Sequence, residues 1–228
     1  IEAGNICNDD KDKQDYIKAF EYYQKAADLG SAFASFEIGV FYEKGKVVEQ
    51  NPSKAFECYQ KAAYLGYHYA LFKIGLCYEK GNLVEQNYNK AFEYYQKAAD
   101  FNDPNALYNV GVFYEEGKGV EQNFTKAFEY YQKAANCEYV LAFDRLIHLY
   151  ETGQGVNKNL EKVSEYCIKA GDFYFSESFR QSVIYHSDEK VIEQCSEKAY
   201  QYYEKAFELG SKIAFFKLGL CYEEGKGV

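Results

Sequence analysis

Apolar positions recur along this chain at helical spacing. Between Lys90 and Asp100, Ala91, Tyr95 and Ala98 fall at i, i+4 and i+7, with Phe92 and Ala99 beside them. In the preceding stretch Ala70, Ile74 and Tyr78 fall at i, i+4 and i+8, with Gly75 next to Ile74. Both patterns predict amphipathic helices. The eleven letters KAFEYYQKAAD run from Lys18 to Asp28 and return unchanged from Lys90 to Asp100. Helix starts at Lys18, Lys54, Lys90 and Lys126 are 36 residues apart (54 − 18, 90 − 54, 126 − 90), and the frame extends to Lys162 and Lys198. A second motif keeps the same step: YEKG at Tyr42 and Tyr78, YEEG at Tyr114, YETG at Tyr150 and YEEG at Tyr222. Two helical motifs alternating at this period predict a solenoid of helical hairpins, each stripe covered by the next copy.

The ends of the helices are legible as well. Gly45, Gly81, Gly117, Gly153 and Gly225 follow the second motif, where a left-handed residue closes a helix. Asp15, Asn51, Asn87, Asn123 and Asn159 share one position before the first motif and are expected as N-caps, with Pro52 at a first helical position. Asn123 also opens a glycosylation sequon; the cap is the favoured reading. Gly39, Gly75, Gly111 and Gly219 sit mid-helix, where glycine costs about 1 kcal/mol relative to alanine. Their recurrence predicts a close helix crossing, with Ala62, Ala98 and Ala134 doing the same on the other helix.

The frame divides the chain into a degenerate first unit over 1–30 ending in a helix, repeats at 31–66, 67–102, 103–138, 139–174 and 175–210, and a truncated last unit at 211–228. The fifth repeat departs from the pattern. Ser178, Ser182 and Val183 replace the usual Ala, Leu/Ile and Gly; Tyr185-His186-Ser187 replaces the turn motif, and Cys195 replaces the Asn cap. An irregular helix pair is expected between Asp172 and Ser196, through neutral decay of one unit or as a bend or partner site. With no Met, and an end in mid-unit, the chain reads as a piece of a longer protein. Phe215, Leu218 and Tyr222 on the last helix are then expected to lie against another chain or missing sequence.

The stretch NALYNVGVFYEEGKGVEQNFTKAFEYYQKAAN, Asn105–Asn136, resembles the Sel1-like repeat family, a tetratricopeptide-like group with a slightly longer unit. The resemblance covers about Asp15 to Val228. It implies an all-α fold, a right-handed α/α superhelix of about six repeats, serving as an adaptor or scaffold. Members act in endoplasmic-reticulum-associated degradation and in bacterial signalling and host contact, and some are fused to kinases. A cysteine-rich bacterial branch pairs Cys within each repeat; the Cys here lack that regularity.

Composition narrows the function. The 228 residues include 25 Tyr, 18 Phe, no Trp and 2 Pro, with net charge −9. An acidic chain lacks the basic face that a phosphate backbone requires, and no apolar run is long enough for a membrane span. Nucleic acid and membrane insertion are therefore not expected. The seven Cys show no CxxC spacing, and Cys58, Cys77, Cys167 and Cys221 stand where other copies carry Tyr, Phe or Leu. They read as small buried hydrophobes in a reducing compartment. The cytoplasm is expected, with the endoplasmic reticulum lumen as the alternative.

Catalytic chemistry is sparse. His68, His148 and His186 are the only histidines, and Asp144 with His148 reads as a surface pair. Glu43, Glu79, Glu115, Glu151 and Glu223 recur once per repeat and read as a solvated or helix-end feature. The GKGV and GQGV loops follow a helix, whereas a phosphate cradle precedes one. No enzyme, cofactor or metal is expected, and a hydrolase reading finds no converging ionisable groups.

By the resemblance, the first helix of each unit lines a concave groove. One row is then Phe36, Phe72, Tyr108, Asp144, Arg180 and Phe216; the next is Val40, Leu76, Val112, His148, Ile184 and Leu220, with the Glu row beside it. Its first half is aromatic and aliphatic with an acidic border; at Asp144, Arg145, His148 and Arg180 it turns polar. Such a groove suits a partner protein segment with apolar and basic anchors. Phe72 and Leu76 replace the Lys and Asn that grip acidic chaperone tails in tetratricopeptide grooves. The expected function is a non-catalytic protein-binding scaffold; the alternatives are a regulatory module of a larger enzyme or an architectural subunit.

Overall fold

The structure is a computed structural model that describes residues 3–183 and 189–227, with side chains described over 14–181 and 189–227. Among the described residues there are eleven helices and no strand: α1 Ala3–Asp28, α2 Ala32–Lys44, α3 Pro52–Tyr64, α4 Tyr69–Lys80, α5 Tyr88–Ala99, α6 Pro104–Glu116, α7 Phe124–Asn136, α8 Val140–Thr152, α9 Leu160–Val183, α10 Glu189–Glu208 and α11 Lys212–Glu224. They fall into two compact units, 1–122 with α1–α6 and 123–228 with α7–α11.

In the first unit each helix packs on its sequence neighbour. The caps explain the boundaries. Asn51 and Asn87 accept from the Lys54 and Lys90 N–H groups at 3.0 Å. Gly45, Gly81 and Gly117 close α2, α4 and α6 in the left-handed conformation. The side-chain amides of Gln50, Gln86 and Gln122 then donate to the carbonyls of Glu43, Glu79 and Glu115 at 2.8–2.9 Å, satisfying a terminal acceptor of each helix. Asp15 is a correction. No glycine or proline stands between Asn5 and Leu29, so α1 runs through Asp15 and leaves it mid-helix.

The core of this unit is built on glycine–tyrosine crossings. A Cβ on Gly39 would meet the Tyr59 ring at 2.7 Å, and one on Gly75 would meet the Tyr95 ring at 2.7 Å. Tyr59 and Tyr95 are fully buried, as are Ala55, Ala62, Ala91 and Ala98 around them. Small residues on one helix admit a whole phenol from the next.

In the second unit Asn123 and Asn159 accept from the Lys126 and Lys162 N–H groups at 2.9 and 3.0 Å. The irregular fifth repeat takes a definite form. The regular turns between repeats carry a residue with positive φ at one register: Gly30, Gly66, Asn102, Glu138 and Gly210. The same register places Tyr174 in the fifth repeat. A bulky aromatic resists that conformation, and α9 continues through the position of the turn for 24 residues. It packs along α10, which starts early enough to leave Cys195 inside the helix, so the absence of an Asn there costs nothing. Ile184, Tyr185, His186 and Ser187 lie outside the described residues.

Two further crossings are rewritten in this unit. At the α8–α9 junction the register puts Ile147 where glycine stands elsewhere and Cys167 where tyrosine stands; both are buried. The large and small partners have changed sides. In the continuous hairpin, Gly171 takes the tyrosine: its added Cβ would overlap the Tyr203 ring. Gly and Tyr are here 32 residues apart (203 − 171), against 20 (59 − 39, 95 − 75) in the regular repeats.

Gly219 on α11 has nothing within 4 Å of an added Cβ. Gly75→Ala and Gly219→Ala should therefore change stability in opposite directions. Chemical denaturation should show Gly75→Ala losing about 1–3 kcal/mol through overpacking on a buried ring. Gly219→Ala should gain up to about 1 kcal/mol from helix propensity alone. Equal effects at the two sites would contradict the close crossing.

Candidate protein-binding surface

Each crossing in the first unit also sets a charge. The Tyr59 hydroxyl donates to the Glu43 carboxylate at 2.6 Å, and the Tyr95 hydroxyl donates to Glu79 at 2.5 Å. A buried phenol with no acceptor would cost about 1–3 kcal/mol, so the recurring glutamate completes the packing of the recurring tyrosine. The sequence reading of this row as a solvated or helix-end feature missed that role. Glu43 further accepts from Lys73 at 3.1 Å and Asn82 at 3.4 Å. Burial pushes the Glu43 carboxyl up, but hydrogen bonds from Lys73 and Tyr59 and the Lys73 charge outweigh it and hold it below the usual range. Burial and the Glu43 bond together push the Tyr59 phenol far up. In the second unit Asp172 plays the carboxylate part, accepting from Tyr203 at 2.8 Å and pairing with Lys217 at 2.7 Å.

The predicted groove residues divide into three groups. Phe36 is only 6% exposed and belongs to the core, its ring 5.1 Å from those of Tyr59 and Tyr67. Its size and periodicity could not separate the inner from the outer edge of the stripe. Val40, Phe72, Leu76, Tyr108 and Val112 are half-buried, with Phe72 packed between Tyr69 and Tyr95. Asp144, His148, Arg180 and Phe216 are exposed. Asp144 accepts a hydrogen bond from the Tyr202 hydroxyl. Arg180 pairs with Glu177 at 2.8 Å and lies on α9, whose unbroken course removes it from the register of the regular first helices. It borders an open cleft of about 760 Å³ that also contains Phe143, Lys169, Asp172 and Phe173.

The structure brings other aromatics to the surface of the first unit. Phe33 is 49% and Tyr69 is 41% exposed. Ring contacts link Phe33 to Tyr67 at 5.8 Å, Tyr67 to Tyr69 at 6.2 Å and Tyr69 to Phe72 at 5.8 Å, over Phe36 as a floor. Phe33, Tyr67 and Tyr69 were not singled out from sequence. A usable signal was present: Tyr67 and Tyr69 flank a turn whose counterparts in the next repeat are Asp103 and Asn105.

Burial pushes the Cys77 and Cys167 thiols up to about 11, so neither is a thiolate at neutral pH. Cys58 and Cys195 are half-buried with thiols also raised by burial, and Cys137 is exposed. No helix among the described residues is long and apolar enough to cross a membrane.

Helical hairpins stacked through small-residue crossings, with aromatic side chains left on the surface, define a repeat protein of the α/α solenoid class. The chain belongs to the Sel1 repeat family: the Sel1 repeat model matches at 9–31, 32–67, 68–101, 104–139, 136–170, 194–211 and 214–228. The unmatched stretch between 170 and 194 coincides with the continuous part of α9 and the start of α10. A Sel1 repeat protein from Oxalobacter formigenes is similar at 26% identity and TM-score 0.62, covering 95% of this chain and 91% of that one. The protective antigen c5321 of uropathogenic Escherichia coli, which has the same repeat fold, is similar at 27% identity and TM-score 0.67 over 92% of this chain. This chain spans 45% of that antigen's length. Comparison with the curated proteins finds no match. Proteins of this family generally mediate protein–protein interactions and are generally of a non-catalytic, scaffold type.

The lowered Glu43 carboxyl fixes the sign of one pH effect. A carboxyl held lower in the folded than in the unfolded chain adds stability above its ordinary value of 4.5, lost as pH falls through the folded value. Glu43→Gln should be less stable than the parent near neutral pH, and thermal melts should show the gap closing below pH 4.5. A gap that is constant with pH would refute the ion-pair account.

Proposed function

We propose that this chain is a non-catalytic adaptor that holds a segment of another protein on the aromatic surface of its first unit. The observation that carries the reading is the connected run Phe33, Tyr67, Tyr69 and Phe72, partly exposed above a buried Phe36. Aromatic rings on a rigid helical framework supply large contact area at little entropic cost, which is why they anchor interfaces. The half-buried aliphatic residues Val40 and Leu76 on α2 and α4 would give such a segment further apolar contact. Acidic composition, at net charge −9, favours a partner with basic as well as apolar anchors.

The stacked helical framework, with Cys77 and Cys167 buried inside it, supports a binding role. The family's general role in protein binding supports it independently. Asp144, His148, Arg180 and Phe216 are proposed as separate contacts of the second unit, each exposed enough to be reached.

A random peptide library selected on the full chain tests this reading. Peptides should be recovered whose affinity falls about tenfold or more on a Phe33→Ala, Tyr69→Ala double variant that keeps the parent helix content. Both side chains are exposed, so the variant should fold, unlike one at buried Phe36. Recovered peptides that bind the variant as well as the parent would overturn the assignment of this surface.

A further inference from the structure

Glu37 is an unusual residue for its register. The equivalent positions in other repeats carry Lys73, Asn109, Arg145, Gln181 and Lys217. It lies one turn after Phe33 on α2, and its charge, after burial, is the larger of two influences that push the neighbouring Tyr67 phenol up, the other being Tyr69. Among the described residues Glu37 forms no ion pair, whereas the nearby carboxylate of Glu43 is neutralised by Lys73 at 2.9 Å.

The rings around Glu37 are also uncovered. Elsewhere the chain lays its own lysines over its tyrosines: Lys54 over Tyr42 at 5.3 Å, Lys90 over Tyr78 at 5.2 Å, Lys97 over Tyr94 at 5.0 Å and Lys133 over Tyr130 at 4.9 Å. Among the described residues no cation lies over Phe33, Tyr67 or Tyr69. The lysine-on-tyrosine contact that recurs along the chain is thus absent among the described residues from these three rings, and Glu37, one turn from Phe33 and close enough to act on the Tyr67 phenol, carries no ion pair of its own.

We infer that Glu37, Phe33, Tyr67 and Tyr69 form a receiving site for an arginine side chain of the bound segment. This deepens the proposed adaptor role and rests on it. Arginine fits better than lysine because its planar guanidinium stacks on a ring while forking two N–H groups onto a carboxylate. Attraction of the cation to the ring faces adds to the pairing with Glu37. The partner is thus a protein segment with an arginine flanked by apolar residues.

The test uses the full chain and fluorescence anisotropy with labelled peptides in which leucines flank one central arginine, citrulline or lysine. The arginine peptide should bind, and citrulline, which keeps the shape but not the charge, should cost about tenfold or more. Glu37→Gln should cost the arginine peptide a similar factor without affecting the citrulline peptide. Glu37→Lys, which installs the residue that two other repeats carry there as Lys73 and Lys217, should abolish arginine binding in a chain that melts like the parent. Equal binding of arginine and citrulline, or indifference to both Glu37 variants, overturns the arginine site. If Tyr69→Ala then weakens both peptides alike, the aromatic surface stands as a binding face without it. Loss of neither peptide on Tyr69→Ala, or no binding of any peptide to the parent, overturns both.

Discussion

A tyrosine ring laid on a glycine is the contact from which the rest of the first unit follows. With no Cβ at Gly39 or Gly75, the helices approach until a whole phenol is enclosed, and a Cβ there would sit 2.7 Å from the ring. Enclosing the ring strands a hydroxyl, and Glu43 and Glu79 receive it. Holding Glu43 ionised in a half-buried place in turn draws Lys73 from the next first helix. One packing choice thus dictates a hydrogen bond, a charge and a bond between repeats.

The second unit shows which parts of this arrangement can be exchanged. Ile147 and Cys167 keep the summed bulk of a crossing while reversing its direction, and no hydroxyl is then left to satisfy; Glu151 pairs instead with Lys205 at 2.8 Å. At the α9–α10 hairpin, Tyr203 and Lys217 stay in register with Tyr59 and Lys73, while the small residue and the carboxylate are supplied by Gly171 and Asp172. The steric and electrostatic requirements survive even where the repeat pattern does not.

Helix identity, period, the Asn caps and the glycine closures were all legible in the sequence, because each depends on residues within a few positions of one another. Asp15 shows the limit of that locality: a residue at a cap position does not start a helix when nothing before it stops one. The Tyr–Glu pairs were hidden because their partners lie 16 residues apart (59 − 43, 95 − 79) on different helices. Periodicity identified Phe36 as apolar and regular, yet depth within a stripe depends on neighbours such as Tyr67 that belong to the turn, outside the periodic pattern. The course of α9 was foreseeable only as irregularity; that Tyr174 at the turn register makes it continuous needed the other turns for comparison.

The continuous α9 also bears on how such an array can change in length. Within residues 31–122 the crossing pairs are 20 residues apart and each lies inside one repeat, so a genetic gain or loss of one 36-residue period leaves each remaining ring on a glycine. Between Gly171 and Tyr203 the pair is spread over 32 residues and straddles the repeat boundary at 174/175, which α9 crosses without a turn. Removing one period across that hairpin takes away one half of the contact and leaves the other half exposed. Repeat number can therefore drift in the first part of this chain, while the hairpin has to be inherited whole.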